Sequence, residues 1–145
     1  ERLRMAVIEH GRQAGARPKV FLAAMGPMRQ HKARADFSRG FFEVGGFQVV
    51  GGAGYADADA AAMAAAESGA SIVVICSTDE TYPELVPRLA AAMRSRLPSV
   101  ALVLAGYPKD QIEGHKATGV EEFIHIRCDA LDSLTRLARR VGVQV

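Results

Sequence analysis

Five short apolar runs are spaced along the chain: Lys19–Ala24, Phe47–Val50, Ser71–Cys76, Val100–Ala105 and Glu122–Ile126. Their lengths suit strands, whereas helices need longer patterns. Ser71–Cys76 and Val100–Ala105 are almost continuously apolar, as strands buried on both faces should be. Glu122–Ile126 is more polar, which predicts a sheet edge. Between the runs, apolar residues recur at helical spacing. The first such stretch is Arg34–Val44, with Phe37, Phe41, Phe42 and Val44 on one stripe and Gly45-Gly46 as its stop. Asp57 or Asp59 caps a helix through Ala60–Glu67, which Ser68-Gly69 ends. A further helix covers Pro83–Arg96, with Pro83 in its first turn and Pro87 either kinking it or marking its start. A short one follows Gly106-Tyr107-Pro108 and stops near Thr118-Gly119. The last, capped by Asp129, sets Leu131, Leu134, Leu137, Ala138 and Val141 against a solvated face of Arg136, Arg139 and Arg140.

Strands alternating with helices predict a parallel sheet with right-handed crossovers. The expected fold is α/β: a flavodoxin-like (Rossmann-like) five-stranded parallel sheet, order 2-1-3-4-5, with helices on both faces. Leu3, Val7 and Ile8 give residues 1–14 a short amphipathic helix of their own, and Gly11–Pro18 has linker composition. The expected division is therefore 1–16 as a helix and linker belonging to a preceding domain, and 17–145 as the α/β domain. The chain opens without an initiator Met, which adds the expectation of a piece cut from a longer protein.

Composition narrows the function classes. The chain has 145 residues, 49% hydrophobic and 23% charged, which is one globular domain. A net charge of +2, with no basic run interleaved with aromatics, argues against nucleic acid as a partner. No apolar run is long enough to span a membrane, and the charged opening Glu1-Arg-Leu-Arg4 is no signal peptide. Cys76 and Cys128 have neither CxxC nor metal-type spacing, so reduced thiols and a cytoplasmic location are expected. The predicted order puts a strand between them, roughly 10 Å apart at ~4.8 Å per strand, too far for a disulfide.

In an open parallel sheet, ligands bind beyond the carboxyl ends of the strands, where strand order reverses. The loops in question begin near Met25, Gly51, Ser77, Gly106 and Arg127. The central stretch is Lys19–Arg34: a buried strand, an abrupt exit at Met25-Gly26-Pro27, and a basic loop carrying His31. Phosphate or flavin binding would need loops rich in small donors, and no GxGxxG or P-loop is present. A phospho-acceptor receiver would need oxygen ligands, but Cys76, Pro27-Met28 and Arg127-Cys128 stand at the relevant strand ends. Thiol catalysis by Cys76 would need a base within hydrogen-bond reach, and a buried structural Cys is the simpler reading. His31 could ligate a metal or a cofactor, but Arg29 stands where an orienting carboxylate would and Lys32 is adjacent, so a His31 that is solvent-exposed or bound to a partner's carboxylate is expected. His10, His115 and His125 read as surface residues.

Several segments together suggest a family. Lys19-Val-Phe-Leu-Ala-Ala-Met-Gly26, Phe41-Phe-Glu-Val-Gly-Gly46, Ala66-Glu-Ser-Gly-Ala-Ser-Ile-Val-Val-Ile-Cys-Ser77 and Glu84-Leu-Val-Pro87 resemble the C-terminal cobalamin-binding domain of methylmalonyl-CoA mutases. The likeness runs from about Arg17 to Gly142. That family carries D-x-H-x-x-G after its first strand, with the His ligating cobalt and the Asp orienting it. Without gaps the three positions fall on Met28, Gln30 and Ala33. Slid by one they fall on Arg29, His31 and Arg34. The S-x-L segment after the third strand falls on Cys76-Ser77-Thr78, and the Gly-Gly after the fourth on Ala105-Gly106. The Gly-rich turn after the fifth is replaced by Ile126-Arg127-Cys128-Asp129, where Arg127 would crowd a nucleotide tail.

The resemblance therefore implies a vestigial site at Met28, Gln30, His31, Ala33, Cys76, Thr78, Ala105 and Gly106, with no catalytic residue, no metal and no cofactor held by this domain. The pattern is most similar to the small subunit of the heterodimeric bacterial enzyme. The implied role is structural, beside a large subunit that carries adenosylcobalamin and interconverts methylmalonyl-CoA and succinyl-CoA. The alternative is a working cobalamin or small-ligand site with His31 as a relocated ligand. That alternative requires an open cavity above Met25, Cys76 and Gly106.

Overall fold

The computed structural model describes residues 1–145. The elements are α1 (Arg2–Ala14), β1 (Lys19–Ala24), α2 (Met28–Val44), β2 (Gln48–Gly51), α3 (Ala58–Ser68), β3 (Ile72–Cys76), α4 (Tyr82–Arg96), β4 (Ala101–Ala105), α5 (Ile112–Thr118, preceded by a 3-10 turn at Lys109–Gln111), β5 (Val120–Ile124) and α6 (Ala130–Arg140). The sheet is parallel with order β2-β1-β3-β4-β5, as the alternation predicts. Its reversal point lies between β1 and β3, where Val20 pairs Ile72 and Ala24 pairs Cys76.

Period-two alternation divides the core. Val20, Leu22 and Ala24 of β1 face a layer with Leu3 and Val7 of α1, Phe42 of α2, and Leu134 and Leu137 of α6. Phe21, Ala23 and Met25 face the other layer, with Ala61, Ala62 and Ala65 of α3 and Val86, Leu89 and Met93 of α4. The alanine-rich helix thus brings a flat buried stripe close to the sheet. The N-terminal helix, assigned from sequence to a preceding region, buries Leu3 and Val7 in this same core. No helix is long and apolar enough to cross a membrane.

Several boundaries differ from expectation. β5 begins two residues early, because Gly119 in the left-handed region (φ 119°) closes α5 and delivers the chain straight into the strand. Within the predicted apolar stripes, Val44 and Leu131 are exposed. Val44 is the last residue of α2, and Leu131 sits in the first turn of α6, so both lie beyond the covered part of their helices. Pro87 lies inside α4 without ending it; Pro83 opens the helix as predicted. The Asp57 side chain accepts from Ala60 N at 2.8 Å and the Asp129 side chain from Asp132 N at 3.1 Å, so both caps form. The arginine face of α6 is not merely solvated. Arg136 makes a two-pronged contact with Glu122, Arg140 one with Glu121, and Arg139 donates to the Val145 carbonyl.

Candidate functional site at the carboxyl end of the sheet

The largest local correction concerns the segment after β1. Read from sequence as a basic loop, it is the first two turns of α2. Gly26 (φ 83°) turns the chain, Pro27 holds an extended N-cap conformation, and the helix starts at Met28. Arg, Gln, Lys and Ala are good helix formers, so a run of them is compatible with a helix despite its charge. Lys32 pairs with Asp36 one turn on, at 2.8 Å.

His31 is consequently buried, at 6% exposure, and not solvated as expected. Its Nδ1 lies 3.1 Å from the Gly26 carbonyl, which can only accept, so Nδ1 donates this hydrogen bond. The segment Gly51–Tyr55 closes over this side of the sheet end, with Tyr55 N donating to Ala24 O at 2.8 Å. A Cβ built on Gly54 would lie 3.2 Å from His31 Cε1 and 3.7 Å from Nε2. The imidazole is packed under that glycine turn, away from the centre of the sheet end.

The centre is taken by Arg34. Its Nη1 donates to Ser77 O at 2.9 Å and forms an ion pair with Asp79 Oδ1 at 2.8 Å, in a geometry too poorly aligned for a second hydrogen bond. Its Cζ stands 5.6 Å from the Tyr82 ring centre. Gly106 (φ 130°) passes directly beneath; a Cβ there would meet Nη1 at 2.9 Å and Cζ at 3.0 Å. Burial works to lower the Arg34 pKa, but Tyr82 and Asp79 outweigh it and hold the guanidinium charged.

Tyr82 is fully buried below this arginine. Its hydroxyl accepts from Ser77 N at 3.0 Å and donates to Ala105 O at 2.7 Å, joining the ends of β3 and β4. Burial raises its pKa, so the phenol stays protonated. Ser77 Oγ in turn donates to Met25 O, joining β3 to β1. Cys76 is buried with Ser38 Oγ 3.7 Å away, and burial pushes its thiol up to about 12, a structural and unreactive state. Cys128 is half-buried, and both cysteines are free.

The inferred site positions are thus dispersed. Met28 is exposed at the helix start, Gln30 folds against Gly26, and His31 sits under the glycine turn. Thr78 closes a turn with Thr81. Ala33, Ala105 and Gly106 come together, with Arg34, around a cleft of about 400 Å³ between α2 and the end of β5, and Gln30, Ala33 and Thr78 meet around a smaller one of about 280 Å³ on the other side of Arg34. Phe37, Asp79, Tyr107, Ile124, His125 and Ile126 complete the larger one. Arg127, expected to crowd this region, is exposed; Arg34 fills the space instead. His125 stacks on Tyr107 with ring centres 5.0 Å apart, and its pKa is lowered by burial and by Arg127.

Two residues escaped the sequence reading. Tyr82 precedes a helix-starting Pro83, a position with no pattern to flag its hydroxyl. His115, read as a surface residue, is buried, with Nε2 2.8 Å from Gln111 Oε1 and its ring edge-on to Tyr82. Burial lowers its pKa against the opposing pull of Asp79. No group of three or more His, Cys, Asp or Glu side chains is placed to hold a metal ion.

The chain matches no protein-family profile. It is 38% identical over 143 residues to the methylmalonyl-CoA mutase small subunit of Streptomyces virginiae, covering 99% of this chain and 22% of that protein. It is 28% identical over 144 residues to the small subunit of Porphyromonas gingivalis, again covering 99% and 22%. A probable small subunit of Mycobacterium bovis is 31% identical over 98% of this chain and 23% of its own length. Among solved structures, a cobalamin-binding protein from Desulfitobacterium hafniense superposes with a TM-score of 0.68 at 19% identity, over 87% of this chain and 60% of that one. A CheY-like protein from Pseudomonas aeruginosa superposes with a TM-score of 0.65 at 20% identity, over 88% and 95%. These structural likenesses establish the fold alone. This chain therefore corresponds, over nearly its whole length, to a segment spanning about a fifth of methylmalonyl-CoA mutase small subunits.

Proposed function

We propose that the chain is a cobalamin-type domain whose ligand groove is closed by its own side chains, and that it serves assembly in a methylmalonyl-CoA mutase small subunit. Adenosylcobalamin and the interconversion of methylmalonyl-CoA and succinyl-CoA then belong to a partnering large subunit. The observation that carries this reading is the Arg34 guanidinium lying on Gly106 and tied to Ser77 and Asp79. A cofactor seated over the sheet end would have to displace a charged group from its partners, at the cost of leaving them unpaired. The residues present do not fit cobalamin. His31, the one imidazole on this loop, is hydrogen-bonded to a backbone carbonyl and not to a carboxylate, and its free nitrogen lies beside Gly54. The reading of His31 as a relocated ligand has no supporting contact.

The test is purification of the full-length small subunit with and without its large subunit, followed by cobalamin analysis of each. The expected outcome is a stable complex in which cobalamin accompanies the large subunit. A small subunit that retains stoichiometric cobalamin alone contradicts the closed groove, and subunits that fail to associate contradict the assembly role.

A further inference from the structure

Arg34 covers Gly106 only while the loop that holds it keeps its place. That loop, Ser77–Thr81, joins β3 to α4. Its start is fixed by the Tyr82 hydroxyl, which accepts from Ser77 N, and its end by Thr81 Oγ1, which donates back to Thr78 O at 2.8 Å. Asp79 lies between these two points and is half-buried. Its carboxylate faces Arg34, but Oδ1 is buried without a well-formed hydrogen bond. A partly solvated pair of this kind contributes little rigidity of its own.

The missing anchor comes from a different part of the chain. Gln111 Nε2 donates to the Asp79 carbonyl at 3.0 Å, and no other residue from outside the loop hydrogen-bonds to the backbone of Thr78, Asp79 or Glu80. Gln111 ends the 3-10 turn that follows β4, five residues after Gly106. One side chain therefore ties the segment carrying the covered glycine to the loop carrying the partners of the covering arginine. The direction of the Gln111 amide is set in turn by His115, one helical turn later. Asp79 O can only accept, so Nε2 of the amide faces it, Oε1 faces His115, and His115 Nε2 donates to that oxygen at 2.8 Å. The imidazole is itself held, buried edge-on to Tyr82 and packed on Phe123 of β5. If His115 presented an acceptor instead, the amide would turn over and set its own oxygen against the Asp79 carbonyl.

We propose that Gln111 is the positioning residue that latches the closed groove, with His115 fixing its amide in the latching direction. The inference rests on the closed-groove reading above and says how the closure is kept. Gln111 touches neither Arg34 nor Gly106; it acts through the Asp79 backbone, holding the loop so that Ser77 O and the Asp79 carboxylate meet the guanidinium together.

Hydrogen exchange on the full-length small subunit tests the latch. Gln111→Glu keeps the size of the side chain and an acceptor for His115 but puts an oxygen where the donor to Asp79 O stood. Exchange across Ser77–Thr81 should become about tenfold faster in this variant, while the β3 amides of Ile72–Cys76 keep their native protection. His115→Leu removes the donor to Gln111 and should speed exchange in the same loop about threefold, whereas His115→Gln retains an N–H donor and should stay near the native rate. Native exchange of the loop in Gln111→Glu overturns the latch. Equal acceleration of the loop and of β3 also overturns it, because Gln111 would then support the fold as a whole. Equal behaviour of His115→Leu and His115→Gln overturns the role given to His115. Cobalamin retained by the native small subunit would overturn the closed groove separately, since the exchange rates compare variants with the native chain and do not depend on that result.

Discussion

The two sides of Arg34 contrast. Toward β1 and β2 the sheet end is closely packed, with one smaller polar cleft of about 280 Å³ between Gln30 and Thr78: α2 begins immediately after Pro27, His31 is packed beneath Gly54, and Ser77 Oγ ties β3 to β1. Toward β4 and β5 the same end is open, with an apolar cleft and a bare Ile126. A fold built to bind at its carboxyl edge can lose a ligand without losing the recess. Arg34 is held by partners of its own, Ser77 O and Asp79 beyond the end of β3 and the Tyr82 ring of α4. The sealed half is a matter of packing and hydrogen bonds; the open half is a matter of what covers it.

The sealed half breaks most severely at Tyr82. Tyr82→Ala should destabilise the domain by about 3–5 kcal/mol, because it empties a fully buried ring site. Tyr82→Phe keeps the ring but strands Ser77 N–H and Ala105 C=O, and should cost about 2 kcal/mol. Urea unfolding of both variants measures the difference. Equal losses would mean that the hydroxyl contributes nothing to joining β3 and β4.

Arg34→Ala should be milder, about 1 kcal/mol, because the Arg34–Asp79 pair is partly solvated and screened. Its larger consequence is local. Exchange at Ser77–Asp79 and at Gly106 should accelerate, while amides in β1 and β3 stay protected. Unchanged exchange there would show that Arg34 lies over the sheet end without holding it.

The histidines predict an acid limb. Burial lowers the pKa of His115 and His125 below the unfolded value of about 6.5. Their contribution is therefore complete above that value and is lost as pH falls through the lower folded values, where the unfolded chain binds more protons. The urea midpoint should decline from about pH 7 to about pH 5, and His115→Gln should flatten part of that decline. At the alkaline end the sign reverses for Cys76, whose thiol is raised by burial. Its contribution holds below the unfolded thiol pKa and fades as pH climbs toward about 12. A thiol reagent at neutral pH should accordingly label Cys128 and leave Cys76 untouched until the chain unfolds.

The smallest effect is expected on the open side. Arg136 tethers α6 to Glu122 at the sheet edge, but in an exposed setting, so Arg136→Ala should cost less than about 1 kcal/mol. A loss comparable to that of Tyr82→Phe would show that the edge strand depends on this clamp and would narrow the contrast between the two sides.

The sheet was legible because strand periodicity and glycine stops act locally. Ser71–Cys76 could be little else than a central strand, and Asp57 and Asp129 announce their helices. The start of α2 was not legible, because charge in Arg29–Arg34 resembles a loop while its helix propensity is fully adequate. Gly26 and Pro27 set the true start. The loss of the motif was legible as substitution, with Arg34 at its glycine position in one alignment, but the contact of Arg34 with Gly106 and its partners were not. Ser77 O, Asp79 and Tyr82 come from a different strand–loop–helix unit, and only the tertiary fold brings them within 3 Å or stacking distance of one guanidinium. His31 and His115 show the same limit: a polar residue is buried when its surroundings supply the hydrogen bond, the Gly26 carbonyl for His31 and the Gln111 side chain for His115, and sequence spacing carries no record of that.

The central claim is that the groove is closed, and a visible-spectrum titration of aquocobalamin or adenosylcobalamin into the protein tests it most directly. A closed groove predicts no saturable change, in the native protein and in His31→Ala alike. A saturable shift to a histidine-ligated spectrum in the native protein that disappears in His31→Ala would contradict it.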